Sequence, residues 1–228
     1  RYLTFRTGGA VMTALIVSFI FGPVLIEVLK AHQKGGQPIR ADGPETHLLT
    51  KQGTPTMGGV LILLALSVAT ILWADLSNGF LWASLGVTLA FGAVGFVDDY
   101  VKVSKRDSRG LPGKLKFLLQ VIIATVAIFW IMHQLSPDLA TTISIPFLKN
   151  VILDLGWMFV IFAVLVVVGA SNSVNLTDGL DGLAIVPVMI AAGVFAAIAY
   201  LSGHSIFANY LQIHYVQGAG ELAVFCGS

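Results

Sequence analysis

The sequence predicts an all-α integral membrane protein, a polytopic helical bundle with six complete spans and the start of a seventh. Its 228 residues are 56% hydrophobic and only 11% charged, whereas a soluble domain carries roughly 25% charged residues. Six apolar runs reach the roughly 20 residues that a helix needs to cross a bilayer. The lone cysteine excludes an intramolecular disulfide, and no aromatic-studded basic face suggests nucleic-acid binding.

Each predicted span is an apolar run, taken to within a few residues of its ends. The runs are Gly8–Val28, Met57–Ala74, Gly79–Val97, Phe117–Leu135, Ile152–Ala170 and Gly182–Leu201, and a seventh begins near Ala219. The first run lacks the small-residue cleavage pattern of a signal peptide, so we expect it to be retained as a helix. Pro23 and Pro187 are expected to kink the first and sixth helices, which a packed bundle tolerates.

The distribution of basic residues predicts which loops face the cytoplasm. Ala31–Thr56, together with Lys30 at its edge, and Asp98–Lys116 hold ten of the thirteen Lys and Arg residues. The positive-inside rule places both loops in the cytoplasm. Alternation of the spans then brings Ser171–Asp181 to the same face.

The opposite face is predicted to carry two short elements. The segment 142–147 alternates polar and apolar residues, which is typical of an extended or hairpin segment. A second segment has apolar and aromatic residues at helical spacing, so we expect an amphipathic helix at the membrane interface. Its members are Ile206, Phe207, Tyr210, Leu211 and His214.

Asp98 and Asp99 follow directly after the third predicted span. Negative charge at the carboxyl end of a helix is disfavoured by the helix dipole. Interfacial solvation is one explanation, but Lys or Arg would serve that purpose equally well. Acidic residues at the rim of a bilayer are usually functional, and Mg²⁺ takes one or two protein carboxylates and completes its shell with water and phosphate oxygens. The pair therefore indicates metal-assisted chemistry.

The segment Asn175–Asp181 is the second acidic feature. Asp181 could be the N-cap of the next helix, with Gly179 and Gly182 supplying turn geometry. One cap leaves Asn175 and Asp178 unexplained, and a spacing of three residues would put neighbours on one face of a helix. We favour a functional role for the segment.

Lys51-Gln-Gly-Thr-Pro-Thr56-Met-Gly-Gly59 precedes the second span and is rich in glycine, but it lacks the Lys-Ser/Thr pair of a phosphate-binding loop. Thr56 could be a plain N-cap or a phosphate contact, and Lys51 could add charge for an anion at the helix start. Lys102 and Lys114, with their basic neighbours, could reflect topology alone, or one or two of them could hold a diphosphate.

Four stretches resemble the phospho-N-acetylmuramoyl-pentapeptide transferases, within the polyprenyl-phosphate N-acetylhexosamine-1-phosphate transferase superfamily. They are Gly43–Glu45, Gly53–Gly59, Gly95–Tyr100 and Asn172–Ala184. The resemblance implies a ten-helix enzyme of the bacterial cytoplasmic membrane, with its active-site loops in the cytoplasm and Mg²⁺ as cofactor. It implies transfer of phospho-N-acetylmuramoyl-pentapeptide from UDP to undecaprenyl phosphate, releasing UMP and forming lipid I in peptidoglycan synthesis. The resemblance also implies a homodimer.

The resemblance assigns roles by position. Asp98, Asp99 and Asp178 match essential acids, with Asp99 and Asp178 as metal ligands beside a main ligand expected outside this chain. Asn175 matches a polar active-site residue. Asp181, Gly179 and Leu180 match the nucleoside pocket. Further residues match the lining of the nucleotide or phosphate region: Lys51, Thr56, Lys102, Lys114 and Asn172.

Several alternatives remain open from the sequence. The reaction could be a single displacement, with Asp98 nearest the lipid phosphate, or could proceed through a covalent phospho-sugar on an aspartate. A transferase of N-acetylglucosamine-1-phosphate is a close rival, and an ion-coupled transporter is a rival of another class. We expect residues 1–228 to be one transmembrane domain, the amino-terminal two-thirds of the enzyme, and to be inactive alone.

Overall fold

A computed structural model describes residues 2–33, 57–105, 110–145, 151–177 and 183–228. The helices are α1 (Leu3–His32), α2 (Gly59–Trp73), α3 (Gly79–Lys105), α4 (Gly113–Gln134), α5 (Pro137–Ala140), α6 (Met158–Thr177), α7 (Ile185–Ser202), α8 (Ser205–Leu211) and α9 (Glu221–Gly227). Strand β1 (Thr142–Ser144) pairs antiparallel with β2 (Ile152–Asp154). Five helices, α1, α3, α4, α6 and α7, are long and apolar enough to cross a membrane, and α2 is a shorter apolar helix. The all-α membrane class is confirmed.

Helix α3 extends well beyond its predicted end. The prediction that the third span stops at Val97 is wrong, because the helix continues to Lys105 and includes both acidic residues. Lys102 pairs with Asp98 one turn earlier, and such a pair supports continued helix. Lys102 and Lys105 also lie in the last turn, where the helix dipole favours positive charge.

Helix α4 begins before the predicted Phe117. It starts at Gly113, directly after Pro112, so Lys114 and Lys116 lie in its first turn rather than in a loop. Pro112 has no N–H to leave unpaired and suits the start of a helix. Helices α3 and α4 are therefore joined by a shorter connection than the sequence predicts.

The start of the fifth predicted span is also wrong. Residues from Ile152 form strand β2, and helix α6 begins at Met158 and continues to Thr177. Gly156 makes the turn between them with φ +50°, a conformation that glycine adopts readily. The expected hairpin is confirmed at Thr142–Ser144, and the rest of that segment lies partly outside the described residues.

The interfacial helix and the two proline kinks are the remaining predictions for the elements. Helix α8 contains all the expected interfacial residues except His214, because the chain leaves the helix at Gln212, whose φ is +56°. Pro187 lies in the first turn of α7, where a missing N–H breaks no hydrogen bond, so the kink expected there is not required. Pro23 lies inside α1 without ending it.

Small residues form the best-buried core of the bundle. Ala10 and Ala14 of α1 meet Ala65 and Ala69 of α2, with Val224 of α9 beside them. Small side chains at such contacts let membrane helices approach closely. Gly9 on α1 leaves no room for even a methyl group, because a Cβ there would lie 2.6 Å from Cζ2 of Trp73.

Two sets of helix contacts organise the fold. Helix α9 packs against α1, α2, α3 and α7. Helix α4 packs against both α3 and α6. Lys116 near the start of α4 contacts Asp98 near the end of α3, and Gln120 contacts Asn172 near the end of α6, so these three helix ends lie at the same end of the bundle.

Candidate charged centre at one end of the bundle

Asp98 is a buried carboxylate near the end of α3, with 8% of its surface exposed. Its Oδ2 lies 2.8 Å from Nζ of Lys102 and 3.9 Å from Nζ of Lys116 on α4. Its Oδ1 accepts a hydrogen bond from the backbone N–H of Leu111 at 2.7 Å. A buried charge is tolerated when it is both paired and hydrogen-bonded, and Asp98 satisfies both conditions.

Asp99 is more exposed and points toward a different part of the site. Its Oδ1 lies 3.1 Å from Nζ of Lys102, and 30% of its side chain is exposed. It also lines a cavity of about 350 Å³ between α2 and α3. The other lining residues are Met57, Gly59, Val60, Ile62, Leu63, Gly92, Gly95 and Phe96. The cavity is therefore an apolar groove with a carboxylate at its edge.

Lys102 brings the two carboxylates together. Its Nζ lies within 2.8 Å of Asp98 and 3.1 Å of Asp99, so oxygens of both acids converge on one cationic atom. Two carboxylate oxygens are the protein share that Mg²⁺ commonly uses, with water and phosphate oxygens supplying the rest. Carboxylate oxygens are thus of the type that Mg²⁺ uses, but the point at which these two converge is occupied by the Lys102 ammonium group. Among the described residues, no three acidic, His or Cys side chains form a metal-binding group.

The sequence reasoning missed Gly110 and Leu111. Gly110 has φ +61° and lies against the Asp98 carboxylate, while Leu111 supplies the backbone donor. A glycine followed by Leu-Pro-Gly113 at the end of a basic loop signals a turn. That signal does not reveal which side chain the turn touches, because the contact depends on how α3 and α4 pack.

Asn172 lies on α6 and is tied to α4. Its Nδ2 donates to Oε1 of Gln120 and to the carbonyl oxygen of Val168, both at 2.8 Å. Gln120 is buried, with 5% of its surface exposed, and sequence reasoning did not single it out. Asn175 is exposed one turn further along α6. The prediction that residues 171–177 belong to a loop is wrong, because α6 continues to Thr177.

Among the candidates that the structure describes, Lys114 does not join this cluster. Lys114 is exposed in the first turn of α4 and forms no hydrogen bond or ion pair with any part of the chain that the structure describes. Some candidates lie outside the described residues: Lys51, Thr56, Asp178, Gly179, Leu180 and Asp181. The observed cluster thus consists of Asp98, Asp99, Lys102 and Lys116, held by the Gly110–Leu111 turn.

Fold and cluster together define an integral membrane protein with a charged centre at one end of its helices. The sequence model of the family described as glycosyl transferase family 4 matches residues 81–225, more than half of the chain. The chain therefore belongs to glycosyl transferase family 4. Residues 51–63 also match phospho-N-acetylmuramoyl-pentapeptide-transferase signature 1.

A curated relative extends this likeness along the whole chain. The chain is 60% identical over 228 residues to the phospho-N-acetylmuramoyl-pentapeptide-transferase of Granulibacter bethesdensis. The match covers 100% of this chain and 63% of the relative. The chain thus spans somewhat less than two thirds of the length of the curated relative it matches.

Proposed function

We propose that the protein containing this chain transfers phospho-N-acetylmuramoyl-pentapeptide from its UDP carrier to undecaprenyl phosphate, releasing UMP and forming lipid I. The observation that carries the proposal is the joint contact of Lys102 with Asp98 and Asp99, inside the region matched by the family. The name of the 60% identical relative and the signature at residues 51–63 supply the substrate class. That signature favours the muramoyl substrate over N-acetylglucosamine.

The charges at the site suit a reaction between phosphates. Lys102 and Lys116 place two ammonium groups beside Asp98, and both can attract the anionic phosphates of the nucleotide. The reaction breaks the P–O bond between the phospho-sugar and UMP and forms a P–O bond to the lipid phosphate oxygen. Positioning and charge stabilisation account for most catalysis of phosphoryl transfer.

Mg²⁺ is part of the proposal, with Asp99 as the described residue that would hold it and Asp178 as the second proposed ligand. A bound divalent cation neutralises charge on the diphosphate and on the leaving UMP. Within a single displacement, Asp98 is the group assigned to the lipid phosphate, and its buried carboxylate would orient that phosphate for attack. Asn172, Asn175 and Lys114 are assigned to the nucleotide side of the same site.

The setting proposed for this reaction is the bacterial cytoplasmic membrane, with the charged centre facing the cytoplasm. The five long apolar helices support an integral membrane protein, and the excess of basic residues in the flanking loops favours the cytoplasmic side for this end. The apolar cavity beside Asp99 is compatible with a substrate that reaches the centre from the bilayer. A homodimer is a further part of the proposal.

Exchange of labelled UMP into UDP-N-acetylmuramoyl-pentapeptide tests the proposal in membranes carrying the full-length protein. Asp99→Asn keeps the size of the side chain but removes its charge, so we expect exchange to fall by at least about 100-fold, in line with the loss of electrostatic stabilisation in other enzymes. Omission of Mg²⁺ should have the same effect. The matched control is Asp138→Asn, which neutralises an exposed acid on α5 and should leave exchange unchanged.

Three results would contradict the proposal. Full exchange in Asp99→Asn would show that the reaction does not need the charge of Asp99. Exchange into UDP-N-acetylglucosamine, without exchange into the muramoyl nucleotide, would identify the sister activity instead. Ion flux without UMP exchange would indicate a transporter.

A further inference from the structure

The two oxygens of the Asp98 carboxylate have different partners. Oδ1 accepts the backbone N–H of Leu111 at 2.7 Å. Oδ2 faces the ammonium groups of Lys102 at 2.8 Å and Lys116 at 3.9 Å. One oxygen is therefore held by a backbone donor, and the other faces two lysine ammonium groups.

Gly110 explains how the backbone comes so close. Its φ of +61° is strained for residues with a side chain. A Cβ at this position would overlap Oδ1 of Asp98 and would lie 2.8 Å from Cε of Lys102. The space that a side chain would fill is thus taken up by the carboxylate and by the lysine stem.

We propose that Gly110 and the backbone amide of Leu111 are positioning residues for Asp98. The turn fixes the rotation of the carboxylate, so that Oδ2 faces the place where Lys102 and Lys116 would meet substrate phosphate. This inference rests on the proposed function, because positioning has a catalytic meaning only if Asp98 acts on a substrate. An in-line displacement is sensitive to misplacement of its groups by about 1 Å.

A purely structural turn is the competing explanation. In that case the turn would only satisfy a buried acid, and its disruption would lower stability without a specific effect on turnover. Gly156 offers a matched control, because it also has positive φ, at +50°, but a Cβ there would meet nothing within 4 Å. Gly110→Ala and Gly156→Ala therefore share the backbone penalty and differ in the collision with Asp98 and Lys102.

The first experiment compares these two variants in the full-length protein by steady-state UMP release. Gly110→Ala should lower kcat roughly 10- to 100-fold, the scale expected for a misplaced catalytic group, with KM for the nucleotide substrate changed less than about threefold. Gly156→Ala should keep kcat within about twofold of the unsubstituted protein. Gly110→Ala should lower the melting temperature more than Gly156→Ala, because it adds a collision with Asp98 and Lys102 to the shared backbone penalty. The kcat of the folded protein is therefore the readout that separates positioning from stability.

A second experiment measures amide hydrogen exchange and needs no catalytic activity. Removal of the acceptor in Asp98→Ala should speed exchange of the Leu111 amide by at least about tenfold, since the hydrogen bond that protects it is lost. Asp138→Ala, which removes an acid remote from the turn, should leave that amide unchanged. A peptide that begins upstream of Leu111 reports the effect by mass spectrometry.

The outcomes separate the inference from the proposed function. The inference is overturned if Gly110→Ala keeps kcat within about threefold, if both glycine variants lose kcat equally, or if the Leu111 amide ignores Asp98→Ala. Absence of UMP exchange in the unsubstituted protein would instead overturn the proposed function. The amide measurement would then decide alone whether the turn holds Asp98.

Discussion

Gln120 is a buried amide on a helix whose exposed residues are mostly apolar. Its Oε1 accepts from Nδ2 of Asn172 at 2.8 Å, and the carbonyl oxygen of Val168 accepts from the same nitrogen. Burial of an amide in an apolar setting costs free energy unless its hydrogen bonds are made. The pair therefore joins α4 to α6 and holds Asn172 in a defined orientation.

Gln120→Leu replaces the acceptor with an apolar side chain of similar size. We expect the free energy of unfolding to fall by about 1 kcal/mol, because one N–H of the half-buried Asn172 amide loses its acceptor while the other keeps the carbonyl oxygen of Val168. Thermal unfolding of the purified protein in detergent measures this loss. The double variant Gln120→Leu with Asn172→Leu should recover part of the stability, because no donor then remains unpaired. Additive losses in the double variant would show that the two amides do not act as a pair.

Single residues differ in how far the sequence reveals them. Asp98, Asp99 and Lys102 stand out because charge is costly next to an apolar run, and the structure joins them through one ammonium group. Gln120 and Gly110 carry no such mark. Their importance comes from the approach of α3, α4 and α6, which no local pattern contains.

One carboxylate at the end of β2 adds side-chain hydrogen bonds to the backbone pairing of the β1–β2 hairpin. Oδ1 of Asp154 accepts the hydroxyl of Thr141 at 2.6 Å and the backbone N–H of Gly156 at 2.9 Å. These two hydrogen bonds, that from the Thr141 hydroxyl first, hold the pKa of the Asp154 carboxyl below its usual value. The ionised form is thus the one that closes the turn into α6.

This pKa predicts how the hairpin responds to acid. A pKa that is lower in the folded state than in the unfolded state stabilises the fold above the unfolded value, about 3.9. The stabilisation is lost as the pH falls through the lower folded value. Amide protection factors across Thr142–Ser144, corrected for the pH dependence of intrinsic exchange, should therefore fall below about pH 4 in the original protein, and Asp154→Asn should remove that fall. Asp138→Asn is the control and should keep it.

The ends of helices were the least predictable feature of the elements. Apolar Ile152 and Leu153 read as the start of a span, but they form β2, because strands and helices can use the same residues when the run is short. The end of α3 was missed for the opposite reason. Its last turns are charged, and the Asp98–Lys102 pair lets the helix continue beyond the apolar run.

Helix α9 connects the two ends of the chain. Both terminal nitrogens of Arg6 on α1 donate to the carboxylate of Glu221 at the start of α9. Nη1 lies 2.8 Å from Oε2, and Nη2 lies 2.5 Å from Oε1. Oε2 also accepts the backbone N–H of Asp75, just after α2, and Nη1 donates to the carbonyl oxygen of Trp73. One ion pair thus joins α1, α9 and the end of α2.

The general arrangement of the bundle was accessible from the sequence, whereas this ion pair was not. Apolar runs of about 20 residues identify membrane helices wherever they occur, and the class was predicted from them. Arg6 and Glu221 stand 215 positions apart, and each could have been read as a solvated charge beside an apolar run. Their pairing depends on α1 and α9 being neighbours in the bundle.

Arg6→Met tests how much the bundle depends on this pair. The carboxylate of Glu221 has only 12% of its side chain exposed, so loss of the guanidinium leaves a largely buried charge without its cation. Such a loss costs about 3 to 5 kcal/mol in a fully buried pair, and the residual exposure of Arg6, 19%, lowers our expectation to about 1 to 3 kcal/mol. Thermal unfolding in detergent measures the loss. The control is Lys30→Met, at an exposed lysine near the other end of α1.

A double variant tests whether the loss comes from the unpaired charge. Arg6→Met combined with Glu221→Met should be more stable than Arg6→Met alone, because no unpaired charge remains. Equal stability of the two would mean that the pair contributes nothing beyond its apolar contacts.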